Sequence, residues 1–142
     1  MIIAFLAATL LASGSPDTQL ASLQNTAPFH IYVMPDSARL QQVTVLAKDA
    51  QGNPTDVRLV YRMSEETLSV EESAHSDNGA SVQSFGPDAL FVNGFPATYS
   101  RTGPYYRQEG HLTWAAGGVN VQMSSFDLVD VPALVNAALS LR

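Results

Sequence analysis

From Phe29 onward, hydrophobic and polar residues alternate along most of the chain. A period of two is typical of β-strands that bury one face, whereas an amphipathic helix repeats about every 3.6 residues. The alternating runs 43–48 and 57–63 flank residues 49–54, where Gly and Pro favour a turn. This arrangement predicts an antiparallel hairpin.

The pattern predicts further strands after this hairpin. Leu68, Val70 and Glu72 fall on one face of the next alternating run. An Asn-Gly pair at 93–94 stands between two apolar runs, and a Gly-Gly pair at 117–118 stands between two more. Residues of these types tolerate the left-handed backbone angles of tight hairpin turns. We therefore expect two more hairpins in the second half of the chain.

The last residues change to a helical period. Asp130 is suited to the N-cap of a helix, and Pro132 to its first turn, where the missing N–H costs little. The apolar residues within 131–141 then cover one broad face. Because a sheet with one apolar face needs such a cover, the sequence predicts an α+β fold with six to eight antiparallel strands and one C-terminal helix.

The first twelve residues, MIIAFLAATLLA, form an apolar segment in which only Thr9 is polar. A secretory signal has an apolar stretch of about 7–15 residues followed by small residues, and Ser13 and Gly14 fit that second requirement. No Lys or Arg precedes the stretch. A membrane helix needs about 20 apolar residues, so the segment fits a signal peptide, the outer half of an anchor, or a buried helix of a cytosolic fold.

Residues 15–28 are rich in Ser, Thr, Gln and Pro and carry a single charge, Asp17. This composition is typical of a mobile tether, within which Leu20 and Leu23 are spaced for one helical turn. The sequence therefore divides into three parts: a signal peptide or partial membrane anchor (1–14), a flexible linker (15–28) and a single α+β domain (29–142).

Composition argues against several classes of function. The chain has 7 Lys+Arg and 13 Asp+Glu, which gives a net charge of −6. Nucleic-acid binding takes most of its affinity from basic patches, so we do not expect this chain to bind nucleic acid. Since the chain has no cysteine, it has no disulfide, no thiol nucleophile, no thiolate zinc site and no lipid-modified cysteine.

The residue types that support catalysis or metal binding follow no recognised spacing. The chain has three histidines, which are His30, His75 and His111. A metal site would require them to converge with a carboxylate such as Glu109. The acidic pairs at 65–66 and 71–72 are interpreted as a solvated edge that blocks sheet-to-sheet pairing. We therefore expect no metal, no cofactor and no catalytic residue, and a chain that is not an enzyme.

The segment 101–108 predicts a polar, aromatic loop in which two tyrosines stand between two arginines. Tyr and Arg are over-represented among the residues that contribute most to binding, and loops on a rigid sheet often carry recognition. We therefore predict a partner-binding surface formed by Arg101, Tyr105, Tyr106 and Arg107. The competing interpretation is a hairpin loop whose tyrosines cover the edge of the core.

Trp114 alternates with polar residues on a predicted strand. A tryptophan in this position packs between sheet and helix or lines a ligand groove between them. If such a groove exists, we predict that Trp114, Tyr61 and Leu134 line it.

The order of motifs in the second half resembles a bacterial domain family of unknown function. The segments are FVNGFPATYS (91–100), HLTWAAGGVNVQMSS (111–125) and the closing helix DVPALVNAALSLR, and residues 29–62 are similar to the family's opening. Members lie outside the membrane and often follow an N-terminal anchor in anti-sigma-factor-like and sporulation-associated envelope proteins. The resemblance implies a curved sheet, similar to the half-barrel of periplasmic lipoprotein carriers, with an apolar groove.

These observations together predict a non-enzymatic interaction or sensing domain of the bacterial envelope. It would lie in the periplasm, at the cell surface or outside the cell, and its N-terminus would hold it at the membrane if uncleaved. Its partner would be an envelope protein. The alternative function is that of a carrier or binder of an apolar, lipid-like ligand, held in a groove between sheet and helix. A carrier requires a cavity of roughly 300 Å³ or more.

Overall fold

The computed structural model of the protein describes residues 14–74 and 90–142. The apolar segment 1–12 and His75 lie outside these ranges. The described part of the chain forms seven β-strands and two α-helices, which confirms the predicted α+β class with its C-terminal helix. In chain order they are α1 (Pro16–Thr26), β1 (Arg39–Lys48), β2 (Pro54–Met63), β3 (Glu66–Ser73), β4 (Leu90–Val92), β5 (Phe95–Thr102), β6 (Glu109–Ala116), β7 (Val119–Ser125) and α2 (Val131–Leu139).

The seven strands form one antiparallel sheet in the order β1-β2-β3-β7-β6-β5-β4. Every strand except β3 and β7 pairs only with its neighbours in sequence. The exception joins the two halves of the sheet, where Val70 of β3 lies opposite Met123 of β7.

Tight turns connect the strands where the sequence predicts them. Asn93 and Gly94 both have positive φ angles, of 50° and 86°, and close the β4–β5 hairpin. Gly117 and Gly118, with φ of 56° and 79°, do the same between β6 and β7. Two consecutive residues with positive φ match the right-handed twist of the paired strands, so both predicted hairpins are confirmed.

One face of the sheet is apolar and buried, and the other is polar. The buried face carries residues from all the long strands, and helix α2 packs across β6, β7 and β4 on this side. The buried side chains of α2 are Leu134, Ala137 and Ala138. The core side chains supplied by the strands include Val57, Leu59, Tyr61, Leu68, Val70, Leu112, Trp114, Val121 and Met123.

Helix α2 is brought close to the sheet by a glycine. A Cβ added to Gly110 of β6 would lie 2.8 Å from the Val129 carbonyl oxygen and 3.0 Å from Leu134 Cδ1. The backbone between β7 and α2 therefore crosses β6 at a distance that only glycine permits.

Helix α1 occupies most of the segment for which the sequence predicts a flexible linker with one helical turn. Ser15 is its N-cap and accepts a hydrogen bond from the Thr18 amide at 3.3 Å, and Pro16 lies in the first turn. Both features favour a helix start. Leu23 is buried in the core, which fixes the helix against the edge of the sheet near β1.

Residues 29–35, here called the strap, are extended but lie outside the sheet. Ile31 and Met34 are buried in the core beneath them. The Val33 amide donates to the Arg142 carbonyl and the Arg142 amide donates to the Val33 carbonyl, both at 3.0 Å. The alternation that begins at Phe29 thus reflects an extended segment that crosses the buried face of the sheet and pairs with the residues after α2.

Candidate functional site

The loop between β5 and β6 presents two tyrosines to solvent. Tyr105 is 91 % exposed and Tyr106 is 78 % exposed, and their rings meet edge to face with centroids 5.8 Å apart. The loop is closed by Gly103, which has a φ of 94° and would place a Cβ only 2.7 Å from the Arg107 carbonyl oxygen. The Arg107 amide also donates to the Pro104 carbonyl at 2.9 Å. The tyrosines therefore project from a tightly folded turn.

A third aromatic side chain lies beside this loop. The Arg107 guanidinium carbon is 4.9 Å from the ring centroid of Phe126, which follows β7 and is 49 % exposed. A cation over an aromatic face contributes about 0.5–1 kcal/mol at an exposed site. We call the four residues Tyr105, Tyr106, Arg107 and Phe126 the aromatic patch. Large exposed apolar side chains that cluster on a soluble domain often mark an interaction surface.

Arg101, the fourth residue predicted to bind a partner, has structural partners of its own. Its Nη2 lies 2.8 Å from Asp130 Oδ1, and its Nε lies 2.5 Å from the Tyr99 hydroxyl. That hydroxyl in turn donates to the Val129 carbonyl at 2.5 Å. The hydrogen bond to Tyr99 and the charge of Asp130 raise the pKa of Arg101 above its ordinary value. Arg101 therefore fastens the connection between β7 and α2 beside the aromatic patch.

Asp130 occupies the predicted N-cap position of α2, but its carboxylate makes no hydrogen bond to the first turn. It accepts from Arg101 instead.

An apolar cavity of about 220 Å³ lies between the sheet and α2. Trp114, which the sequence predicts to line a groove, forms part of its wall. Tyr61 and Leu134 are buried elsewhere in the core and do not border this cavity. The residues that line it are Tyr32, Val92, Asn93, Phe95, Trp114, Ala116, Ala138 and Leu141. Ligand pockets usually have about 300–1,000 Å³, so the cavity as it stands is too small for a lipid-like molecule.

A larger depression of about 300 Å³ lies on the opposite, polar face of the sheet. Its wall includes the side chains of Asp56, Glu71, Thr113 and Gln122. Glu71 is paired with Arg58, and Asp56 Oδ1 is buried without a hydrogen-bond partner. Its lining also includes the apolar residues Leu46, Val57 and Val121, so the depression combines charged and apolar groups.

Among the residues that the structure describes, Glu72 is the one carboxyl group in the core, and it is 1 % exposed. Glu72 Oε1 accepts from the Tyr32 amide of the strap at 2.6 Å, whereas Oε2 has no hydrogen-bond partner. Burial raises the pKa of Glu72 to about 8, although the hydrogen bond from Tyr32 opposes this shift. The interpretation of residues 71–72 as a solvated acidic pair is wrong for Glu72, because alternation in β3 places it on the same face as Leu68 and Val70.

The Tyr61 hydroxyl is a second buried contact to the strap and accepts from the Met34 amide at 3.3 Å. Burial raises the pKa of Tyr61 to about 12, and the nearby Glu72 carboxyl acts in the same direction. Tyr61 is therefore a neutral core residue at physiological pH.

His111 lies in a polar network on the open face of the sheet. Its Nε2 is 2.8 Å from Thr102 Oγ1 and 3.1 Å from Glu109 Oε1, while its Nδ1 is 3.2 Å from Gln122 Nε2. A catalytic triad needs the nucleophile and the carboxylate on opposite ring nitrogens. Here the hydroxyl and the carboxylate share one nitrogen, so the network lacks the geometry that would activate Thr102.

His30 does not belong to this network. It is exposed, and its ring lies edge-on to that of Tyr32, with ring centroids 4.6 Å apart. Within residues 14–74 and 90–142, no three His, Asp or Glu side chains are grouped so that they could hold a metal ion.

Comparison of the chain with protein-family models, curated proteins and solved structures finds no match. The resemblance to an envelope domain family therefore stays a prediction that depends on the order of the motifs. Neither helix of the described part of the chain has the length and apolarity that a bilayer crossing requires.

Proposed function

We propose that the chain is a non-enzymatic interaction domain of the bacterial envelope that binds a protein partner through the aromatic patch. The observation that carries this proposal is the exposure of Tyr105, Tyr106 and Phe126 at one end of the sheet. Tyrosine buries a large area on binding at a low cost in side-chain entropy. Tyrosine and arginine are both enriched among the residues that contribute most to binding energy.

The local geometry supports this role for the patch. The β5–β6 loop is closed by its own hydrogen bond, and the β7–α2 connection beside it is fastened by Arg101, Tyr99 and Asp130. A partner would therefore meet a surface that is ordered before binding, which lowers the entropy lost on association. Arg107 stacks on Phe126, and the structure gives it no carboxylate partner within the described residues. Its guanidinium can accept an acidic side chain of the partner.

The extracytoplasmic location is part of the same proposal. It rests on the apolar segment 1–12 and on the small residues that follow it. If that segment is retained, the domain acts at the membrane surface. The carrier function is the second candidate because Trp114 borders an apolar cavity, although that cavity must expand before it can hold a lipid.

Removing both tyrosines should weaken partner binding without affecting the fold. A photoreactive phenylalanine analogue at position 106, used in the bacterium that makes the protein, should give a discrete protein adduct. For the partner so identified, Tyr105→Ala combined with Tyr106→Ala should raise the Kd by more than about tenfold, or about 1.4 kcal/mol. The melting temperature should not change, because both side chains are exposed.

Phe91 offers a matched control, since it is a half-exposed aromatic residue at the opposite end of the β4–β5 hairpin from the patch. Phe91→Ala should leave the Kd unchanged. Equal losses from Phe91→Ala and from the double variant would overturn the assignment of the patch. A lipid-sized adduct in native mass spectrometry, with no protein adduct from position 106, would instead favour the carrier.

A further inference from the structure

The strap is held on the buried face of the sheet mainly by side chains rather than by strand pairing. Its Tyr32 amide donates to Glu72 Oε1 at 2.6 Å and its Met34 amide donates to the Tyr61 hydroxyl at 3.3 Å. The Tyr32 hydroxyl lies 3.5 Å from the Ala116 carbonyl oxygen. The backbone pair between Val33 and Arg142 completes the set. The attachments to Glu72 and to Tyr61 therefore depend on the protonation state of a titratable side chain in the core.

Glu72 differs from the other attachments because the amide of Tyr32 offsets only part of the cost of a negative charge there. Its Oε2 is buried and has no hydrogen-bond donor. A neutral carboxyl in that position leaves one polar group unsatisfied, whereas a carboxylate places an unpaired charge in an apolar core, which costs far more.

Within residues 14–74 and 90–142, the elements packed against Glu72 supply no cation on the buried face. From β2 the opposite residue is Val57 and the nearest titratable group is Tyr61. From β7 the opposite residue is the apolar Val121. The other charged or titratable groups of β2 are Asp56, the exposed Arg62, and Arg58, which is paired with Glu71 on the open face. Those in and beside the strap are His30, Tyr32 and Arg142, of which His30 and Arg142 are exposed.

The strap also contributes to the wall of the apolar cavity. Tyr32 is the strap residue that lines it, together with Trp114 and the α2 residue Ala138. If the strap moved away, the cavity would lose this wall and Trp114 would become accessible to solvent. Tyr32 therefore links the two sites: its amide donates a hydrogen bond to Glu72, and the residue also lines the cavity.

We propose that the strap is a lid whose closure depends on the protonation of Glu72, and that ionisation of this carboxyl releases the lid and opens the apolar cavity beside Trp114. The device is independent of the aromatic patch and concerns access to the cavity rather than partner contact.

The direction of the pH dependence follows from the raised pKa of Glu72. Burial raises the pKa of Glu72 to about 8 in the closed state, from an ordinary value of 4.5. The closed state therefore binds more protons between these values. Its stability is fully present below pH 4.5, falls as the pH rises, and has lost the whole contribution of Glu72 above about pH 8.

Trp114 is the chain's single tryptophan, so its fluorescence reports on the cavity without labelling. In the full chain, acrylamide quenching of Trp114 should increase at least about twofold between pH 6 and pH 9, with a midpoint below about 8. The Tyr32 and Met34 amide resonances should shift over the same range. Amides of β6 should keep their protection from exchange, which separates lid opening from unfolding.

Glu72→Gln supplies the test and Glu71→Gln the matched control. Gln keeps the carbonyl that accepts from Tyr32 but cannot ionise, so this variant should show no transition between pH 6 and pH 9. Glu71 is the adjacent residue on the open face, and Glu71→Gln should keep the transition. Quenching that is flat with pH in the natural chain would overturn the proposal, as would an unchanged transition in Glu72→Gln. The pH dependence of quenching in the natural chain needs no variant, so it tests the proposal even if Glu72→Gln fails to fold.

Discussion

Deleting residues 131–142 should abolish the cooperative unfolding of the domain. The deletion removes α2, whose Leu134 and Ala138 are fully buried, together with Leu141 at its end. Burial of each leucine contributes about 1.5–3 kcal/mol to stability. Without α2, Leu112 and Trp114 on the uncovered face of the sheet would also become exposed to water and lose their burial energy. The strap would also lose the backbone pair that Arg142 makes with Val33. Because a domain has only about 5–15 kcal/mol of net stability, these losses exceed what the fold can tolerate.

Thermal unfolding followed by circular dichroism and by Trp114 fluorescence would check this expectation. The truncated chain should show no sigmoidal transition and a red-shifted emission. Leu139→Ala serves as the control within the same helix, since Leu139 is half-exposed and its truncation should cost less than about 1 kcal/mol. A truncated chain that melts cooperatively at the temperature of the natural chain would show that α2 does not stabilise the sheet.

Replacing Gly110 with valine should clearly lower the stability of the domain. The new Cβ would lie 2.8 Å from the Val129 carbonyl oxygen and 3.0 Å from Val129 Cα, and backbone atoms cannot move aside as a flexible side chain can. The connection to α2 must then shift, which also disturbs the salt bridge between Arg101 and Asp130. Overpacking of this kind costs about 1–3 kcal/mol or more.

Ala115→Val is the matched comparison, since it adds the same strand former to β6 on the open face of the sheet. Urea unfolding should give a free energy near that of the natural chain for Ala115→Val and a clearly lower one for Gly110→Val. Similar values for the two variants would mean that the approach of Val129 to β6 is looser than the structure shows.

Local patterns were sufficient for the elements but not for their arrangement. The Asn-Gly and Gly-Gly pairs predict two hairpins, and Asp130 with Pro132 predicts the start of α2, because turns and caps depend on a few adjacent residues. The pairing of β3 with β7 brings together residues such as Ser69 and Ser124, about 55 positions apart. No periodicity encodes such a contact. The strap shows the same limit, because alternation indicates an extended chain but not whether it joins a sheet.

The candidate site divides in the same way. Tyr105, Tyr106 and Arg107 can be singled out by residue type within one loop. Phe126 cannot, because it reaches the patch only when the end of β7 lies beside the β5–β6 loop. For Glu72, two features of the sequence disagree: its position in the alternating pattern of β3 predicts burial, whereas its charge predicts exposure to solvent. The structure buries Glu72, so the alternating pattern predicts its position correctly.

The sheet order has a consequence for how the chain folds. Strands β1 to β3 form one run of sequence-adjacent hairpins and β4 to β7 form another, so most pairings close short loops at a low entropic cost. Among the strand pairings of the sheet, the seam between β3 and β7 is the one that joins distant parts of the described chain. We therefore expect each half to collapse early and the seam to form last. Since Glu72 lies on that seam opposite Val121, its carboxyl is desolvated in the final step, and the folding rate should fall as the pH rises.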